Sequence, residues 1–108
     1  MANTFKSFPS KNLGTSAATV YTTPAATVST IIGFTVSNTT ASTISVDIII
    51  KRSSVDYYIL KGCQIPSGGA EVVVGGDQKV VLMAGDVVKV VSNTATSADA
   101  FLSLLEIN

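Results

Sequence analysis

One third of this chain is β-branched, and this restricts its possible folds more than any other feature. Val, Ile and Thr contribute 14, 9 and 13 of the 108 residues. These side chains are stiff at the first side-chain torsion and pack well on a pleated surface, so they favour strands over helices. No stretch shows the i, i+3, i+4, i+7 apolar spacing of an amphipathic helix. The sequence therefore predicts an all-β protein.

Apolar and polar residues alternate most clearly in the segment 44–52, where four apolar side chains share one face and a mainly polar set shares the other. Gly, Pro, Asn, Asp and Ser interrupt the chain at short intervals, which is typical of sandwiches. We expect seven or eight strands, within the segments 16–22, 28–37, 44–52, 57–65, 70–74, 79–82, 87–92 and 101–106.

A chain of 108 residues has room for one domain. Two sheets that share one core are the expected solution, so we predict an antiparallel two-sheet β-sandwich of the jelly-roll or Greek-key type. The segment 1–14 is mostly polar, contains Pro9, and carries Phe5 and Phe8 as its large aromatic anchors. We therefore predict an extended N-terminal arm over 1–14 and the sandwich domain over 15–108.

The charge balance excludes several classes of partner. Seven Lys and Arg oppose seven Asp and Glu, which gives a formal net charge of zero. A nucleic-acid or anionic-membrane binder needs a clustered basic excess, so we expect neither partner. No apolar run is long enough for a secretion leader or a membrane span.

The sequence shows no catalytic equipment. With no His and one Cys, it cannot form a His-based triad, a Cys/His zinc site or an internal disulfide. Most carboxylates fall in turns or near the chain ends, and their spacing suggests no pair held across a cleft. We therefore predict a protein that is not an enzyme and has no catalytic, metal or cofactor site. Cys63 is interpreted as a small apolar strand residue rather than a reactive thiol.

The surface is the remaining source of function. Only 13% of the residues are charged, and Ile31, Ile49 and Val73 are out of phase with their apolar neighbours. On a free monomer these three would be exposed, and contiguous apolar patches mark interaction sites. Either other subunits cover them or the arm and loops do, and we favour assembly. Phe5 and Phe8 of the arm would then clamp a neighbouring subunit.

Tyr57 and Tyr58 are the other candidates for recognition. Adjacent strand residues point to opposite faces, so we expect one ring in the core and one outside. The exposed ring could anchor a partner or stack on a sugar. With no Trp and three Tyr, the chain has few of the aromatic side chains that a dedicated carbohydrate-binding surface needs.

The chain contains a Thr- and Ala-rich opening at 13–25 and the strand-and-turn motifs YYILK (57–61), IPSGG (65–69), KVVL (79–82), AGDVVKV (84–90) and LLEI (104–107). Together these segments resemble small virion structural proteins of tailed bacteriophages. That group looks like single β-sandwich domains that decorate or cement capsids, or that sit at the neck or tail, and it implies no enzymatic residue.

The resemblance implies a capsid decoration or cement protein, located in the virion and assembled in the cytoplasm of a bacterial host. Its expected partners are copies of itself and other virion proteins, above all the major capsid protein. A neck or tail component and a glycan-binding host-attachment module are the alternatives. The residues expected to carry the interaction are Phe5, Phe8, Tyr57, Tyr58 and Ile49.

Overall fold

The computed structural model describes residues 2–75 and 78–108, and these residues form nine strands. None of the described residues belongs to a helix that could cross a membrane. The strands are β1 (Asn3–Leu13), β2 (Ala18–Thr22), β3 (Val28–Asn38), β4 (Ile44–Arg52), β5 (Val55–Ile65), β6 (Ala70–Val74), β7 (Val80–Leu82), β8 (Val87–Ser92) and β9 (Ala98–Ile107).

The strands form two antiparallel sheets that pack face to face. One sheet, which we call the β3 sheet, has the order β1-β9-β3-β6. The short strand β7 pairs with the same edge of β3 as β6 does, but nearer the start of β3. The other, the β4 sheet, has the order β2-β8-β4-β5. With β6 and β7 taken as two halves of one strand, this order is that of a jelly roll. The predicted fold class, an all-β antiparallel sandwich, is confirmed.

The core lies between the two sheets and is almost entirely aliphatic. The alternation predicted for the segment 44–52 is confirmed, because the inner face of β4 is buried along its length. Every second residue of β9 is also buried, from Ala98 to Glu106. The largest fully buried side chains are Phe34, Ile31, Ile44, Ile48, Ile65, Leu82, Leu102 and Leu104.

The segment predicted as an extended arm differs in the structure. Residues 3–13 form the edge strand β1, which pairs with β9 from Asn3–Ile107 to Leu13–Ala98. The Ala2 N–H donates to the Asn108 carbonyl at 2.7 Å and the Asn108 N–H to the Ala2 carbonyl at 3.0 Å, which extends the ladder to both chain ends. An edge strand needs few apolar residues because one of its sides faces solvent, so its polar sequence resembles that of an arm.

A β-bulge reverses the predicted phase of β3. The register between β3 and β9 shifts between Ile31 and Gly33, so Ile32 lies at the irregularity. Bulges turn the following side chains to the opposite face. As a result Ile31 is buried and Ile32 is exposed, although the sequence placed Ile32 on the face of Phe34.

The expected exposure of Val73 and Ile49 is also wrong. A register shift between β3 and β6 buries Val73 and leaves its neighbour Val72 outside. Ile49 does point away from the core, yet it is only 5% exposed. Its opposite neighbours on β5 and β8 are Tyr58 and Lys89, and such pairs bring the Cβ atoms within about 5 Å. These larger side chains flank Ile49.

The expectation that one of the two adjacent tyrosines enters the core is wrong. Tyr57 pairs with Ile50 on the inner side of β4, and Tyr58 pairs with Ile49 on the outer side. The two rings therefore do point to opposite faces, but both are about half exposed. Because β5 is the edge strand of its sheet, no further strand covers the inward-pointing Tyr57.

Gly62 is required by the irregularity in the β4–β5 pairing. Its φ is 64° and its N–H donates to the Asp47 Oδ1 at 2.7 Å. We expect Gly62→Ala to lower the free energy of unfolding by about 1 kcal/mol, because L-residues are strained in this region. The matched control is Gly33→Ala, where an added Cβ meets no atom within 4 Å. We expect this control to be neutral or stabilising by roughly 0.5 kcal/mol in urea denaturation. An equal loss in both variants would contradict this account.

Candidate assembly surface

The two outer faces of the sandwich differ in charge, and the outer face of the β4 sheet is the charged one. The Lys51 Nζ lies 3.4 Å from the Asp56 Oδ1, and the Lys61 Nζ lies 3.5 Å from the Asp47 Oδ2. The Lys61 Nζ also lies 4.5 Å from the centroid of the Tyr58 ring. Exposed pairs of this kind contribute little stability, but they keep a surface hydrated. This face has the character of an ordinary solvent-facing surface.

The outer face of the β3 sheet carries large apolar side chains in two rows that run across the strands. A row of small residues separates them, made of Ser7, Ser103 and Gly33 on β1, β9 and β3. We call this the serine row. On one side of it is the Phe5 row, which consists of Phe5, Leu105, Thr30 and Val81. On the other is the Phe101 row, which consists of Pro9, Phe101, Thr35 and Val72.

These three rows form an apolar face that the subunit itself leaves uncovered. The exposed fractions are 74% for Phe5, 53% for Phe101, 63% for Val72 and 53% for Val81. None of the residues in the three rows is charged. Monomeric proteins rarely expose contiguous apolar patches larger than a few hundred Å², and such patches mark interaction sites. The apolar face is therefore the candidate contact surface.

A cavity of about 460 Å³ opens beside Phe101, at one end of the apolar face. An ion pair stands at its rim, with the Lys11 Nζ 3.7 Å from the Asp99 Oδ2. The Asp99 Oδ1 also accepts a hydrogen bond from the Asn12 N–H at 2.9 Å, so this carboxylate is held in place. The cavity is lined by Pro9, Ser10, Lys11, Thr35, Ser37, Asp99, Ala100 and Phe101.

A second cavity, of about 330 Å³, lies where the edge strands β5 and β7 approach each other. It holds the predicted interaction residue Tyr57, which lies there beside Arg52. Its remaining walls are aliphatic. They consist of Ile50, Ile59, Val80, Val81 and Leu82.

The structure does not bring the five predicted interaction residues together. Phe5 alone lies on the apolar face. Phe8 points inward, where its ring centroid is 5.0 Å from that of Tyr21. Tyr57 lines the second cavity, and Tyr58 lies with Ile49 on the charged face of the β4 sheet.

Sequence reasoning missed Phe101, Val72 and Val81 as surface residues. A signal was present for Phe101, because the segment 98–107 is apolar on both faces of the strand. Leu102 and Leu104 account for one face, and Phe101 and Leu105 for the other. Such two-sided strands are typical of sheets covered on both sides. No local signal identified Val72, because its phase depends on the bulge opposite β3.

The buried carboxylate of Glu106 is fully engaged inside the sandwich. The Tyr21 hydroxyl donates to the Glu106 Oε2 at 2.6 Å, and the Lys6 Nζ lies 2.9 Å from the Oε1. The hydrogen bond from Tyr21, followed by that from Lys6, lowers the pKa of Glu106. Burial, with the neighbouring Glu106, raises the pKa of Tyr21 to about 12. The hydroxyls of Tyr21 and Ser29 are also hydrogen-bonded at 2.7 Å. This arrangement is structural and offers no free base.

The buried carboxylate of Asp86 fixes the turn between β7 and β8. The Arg52 Nε and Nη2 donate to its two oxygens at 2.8 and 2.6 Å, and the Met83 N–H donates to the Oδ2 at 2.8 Å. The guanidinium of Arg52 is the main cause that lowers the pKa of Asp86. Gly85 in this turn has a φ of 87°, a conformation that favours glycine. Among residues 2–75 and 78–108, no three His, Cys, Asp or Glu side chains are grouped to hold a metal ion.

Cys63 is part of the structure of β5 rather than a reactive group. Its side chain is partly buried and packs against the core. Burial, and then the nearby Glu71 carboxylate, raise the pKa of its thiol, which disfavours the nucleophilic thiolate. Its position in β5, packed against the core, agrees with the interpretation of Cys63 as a small apolar strand residue.

Comparison with known proteins gives a likeness in fold only. No protein-family model and no curated protein matches the chain. The structure is similar to a chain of Bacillus endospore appendages, described as a novel family of disulfide-linked pili, with a TM-score of 0.61 and 12% identity over 99% of this chain and 87% of that one. It is also similar to a chain of infectious bursal disease virus, Gx strain, with a TM-score of 0.50 and 7% identity over 96% of this chain and 32% of that one. The protein thus spans about a third of the viral chain.

Proposed function

We propose that this protein is a non-enzymatic structural subunit that assembles with copies of itself, and that it serves as a decoration or cement protein on the capsid of a tailed bacteriophage. The observation that carries the proposal is the apolar face, whose three rows contain no charged residue. Both buried carboxylates are held by hydrogen bonds, so the chemistry left for function is surface contact.

The energetics agree with a role in assembly. Covering a large apolar side chain contributes about 1.5–3 kcal/mol, and the apolar face presents four that are about half exposed or more. Association costs translational and rotational freedom, so this face supports a modest contact between two free subunits. In a lattice, many such contacts act together, and their combined strength greatly exceeds that of one. A cement protein stabilises a shell in this way.

The support for a virion comes from two directions. The strand-and-turn motifs resemble virion structural proteins of tailed phages, and the fold is similar to chains from a pilus and from a viral particle. Both neighbours come from assemblies of many subunits. We expect the major capsid protein to be the partner of this chain, with the N-terminal strand β1 at or near the contact.

A glycan-binding module for host attachment is the second candidate, and the larger cavity favours it. That cavity places the ring of Phe101 beside the hydroxyls of Thr35 and Ser37 and the carboxylate of Asp99. An apolar platform with a few polar groups suits a sugar ring. A neck or tail location is a third candidate, which differs from cement in the number of copies on a particle.

Quantitative mass spectrometry of purified virions tests these candidates. A cement protein should be present in numbers comparable with those of the major capsid protein, whereas a neck component should be present in few copies. Virions that lack the protein should release their genome at a lower temperature than complete virions. Adding the purified protein before heating should restore the release temperature. Absence of the protein from particles would overturn the proposal. Binding to a glycan array, with loss of binding in Phe101→Ser, would favour the attachment module.

A further inference from the structure

We propose that the apolar face is a two-fold interface between two copies of this chain, in which the Phe5 side chain of each copy enters the cavity beside Phe101 of the other. This inference deepens the proposed function and rests on its claim of self-association. It commits to one occupant of the face, a second copy, and to one arrangement of that copy.

The projecting side chain and the cavity lie on the same face. Phe5 projects from β1, and Pro9, four residues further along the same strand, lines the cavity. Four residues of strand span about 13 Å. The projecting side chain and the cavity that would receive it therefore lie on one face of the subunit. Two copies related by a two-fold rotation can then each insert Phe5 into the other's cavity, and the assembly closes as a dimer.

The position of the two-fold axis follows from the rows. A half turn about a line that lies between the two faces and runs along the serine row brings each Phe5 row opposite the partner's Phe101 row. The serine row then meets itself. Because Ser7 and Ser103 are small, the two faces can approach closely along β1 and β9 while the large rows interdigitate. Ile32, which is 39% exposed at the bulge beside Gly33, adds an apolar side chain at the β3 end of the row. The strands of the two copies run nearly parallel to one another, as in the aligned packing of sheets.

The fit of Phe5 is both steric and entropic. The cavity of about 460 Å³ is large enough to hold a phenyl ring, and its walls include the ring of Phe101. The backbone of Phe5 is held in the β1–β9 ladder opposite Leu105. The ring is therefore presented from a fixed strand, so that little freedom is lost when it docks.

The size and charge of the face suit a second copy. Four strands about 4.8 Å apart, and the seven residues of β9 from Asp99 at the cavity to Leu105 at about 3.3 Å each, give roughly 440 Å² per copy. Two such faces bury about 900 Å², which is close to the lower limit of about 1,000 Å² for a specific interface. The one ion pair at the cavity rim, Lys11–Asp99, is neutral overall. A strongly charged partner therefore finds no complementary group, whereas an identical face is complementary.

The first test removes the projecting side chain. We expect the protein to sediment as a concentration-dependent dimer, and Phe5→Ser to weaken dimerisation by about 30-fold or more, the equivalent of one hot-spot residue. The control is Tyr58→Ser, which removes a half-exposed aromatic side chain from the charged outer face of the β4 sheet and should leave dimerisation unchanged. Both variants lie on edge strands, and circular dichroism should show that both remain folded.

The second test fills the cavity. We expect Ser37→Trp to block the entry of Phe5 and to weaken dimerisation as Phe5→Ser does. A mixture of the two variants should dimerise better than either alone, because the free cavity of the Phe5→Ser copy accepts Phe5 of the other copy. No restoration in the mixture would overturn the reciprocal arrangement.

The third test locates the axis. A cysteine introduced by Ser103→Cys, in a Cys63→Ala background, should cross-link to its own copy with a bis-maleimide matched to the roughly 10 Å between packed sheets. Thr22→Cys, an exposed position on β2 in the other sheet, is the control and should not cross-link.

The outcomes separate this inference from the proposed function. A protein that stays monomeric at high concentration overturns both. An oligomer or a virion-bound form that is insensitive to Phe5→Ser, and that does not cross-link at position 103, overturns the inference alone and leaves the structural role standing. An open chain of subunits in place of a closed pair also overturns it.

Discussion

Replacing Phe34 by alanine should lower the free energy of unfolding by about 3–5 kcal/mol, the largest loss expected from a single substitution in this chain. Phe34 is 1% exposed and lies at the centre of β3, opposite Leu102 on β9 and Val74 on β6. Truncation leaves a cavity between two sheets whose strands are held by their ladders and cannot close on it.

The matched control is Phe101→Ala, one position from Leu102 on the outer side of the same sheet. In urea denaturation at concentrations where the subunit is monomeric, we expect it to change stability by less than about 0.5 kcal/mol. The same substitution should weaken self-association. The two phenylalanines would thus separate the folding of the subunit from its assembly. Comparable losses of stability for both would contradict the assignment of Phe101 to the outer face.

Replacing Tyr21 by phenylalanine should cost about 2 kcal/mol at neutral pH, because hydrogen bonds to charged groups contribute about 1.5–3 kcal/mol. The hydroxyl donates to the Glu106 Oε2 at 2.6 Å, and Glu106 is nearly completely buried. Without this donor, the carboxylate keeps Lys6 but loses its shortest hydrogen bond. The ring itself still packs against Phe8, so the loss is confined to the polar contact.

The pH dependence identifies this contact. The pKa of Glu106 is lowered in the folded state. Its ionised carboxylate therefore stabilises the fold above the unfolded pKa of about 4.3, and this stabilisation is lost as the pH falls through the folded pKa. The pKa of Tyr21 is raised to about 12 from about 10, so stability declines as the pH rises between these values. The difference between wild type and Tyr21→Phe should be largest from about pH 5 to pH 10 and should narrow on both sides.

Urea denaturation over this pH range measures the difference. Tyr57→Phe is the matched control, since its half-exposed hydroxyl should contribute less than about 0.5 kcal/mol at any pH. A destabilisation by Tyr21→Phe that stays constant from pH 3 to pH 12 would show that the hydroxyl acts through packing rather than through Glu106.

The existence of most strands could be predicted, because it depends on local composition. The bounds of β4, β6 and β8 agree with the predicted segments 44–52, 70–74 and 87–92. Alternation and turn residues are properties of neighbouring positions, which a single sequence displays directly. The polar strand β1 was predicted as an arm because the sequence of an edge strand can contain few apolar residues.

The facing of side chains could not be predicted to the same extent, because it depends on partners far along the chain. The bulge at Ile32 is defined by the pairing of β3 with β9, about seventy residues later. Each bulge exchanges inside and outside for the residues beyond it. This is why Ile32 and Val72 are exposed in place of Ile31 and Val73.

The candidate assembly surface was hidden from the sequence for the same reason. Its two apolar rows join residues from both ends of the chain, such as Phe5 with Leu105 and Pro9 with Phe101. Only the order β1-β9-β3-β6 brings these positions side by side. The low fraction of charged residues did predict that part of the surface is covered by other subunits. In the structure, the uncharged surface lies on the outer face of the β3 sheet.

The pairing of the two chain ends has a mechanical consequence. Ala2 and Asn108 close the same antiparallel ladder, so a force that pulled the ends apart would break the β1–β9 hydrogen bonds one pair after another. A ladder loaded in this way unzips at low tension, whereas one sheared along its strands must break many bonds at once. Tethers at the termini would therefore bear little load, and any strength of an assembly would have to come from contacts between the faces of its subunits.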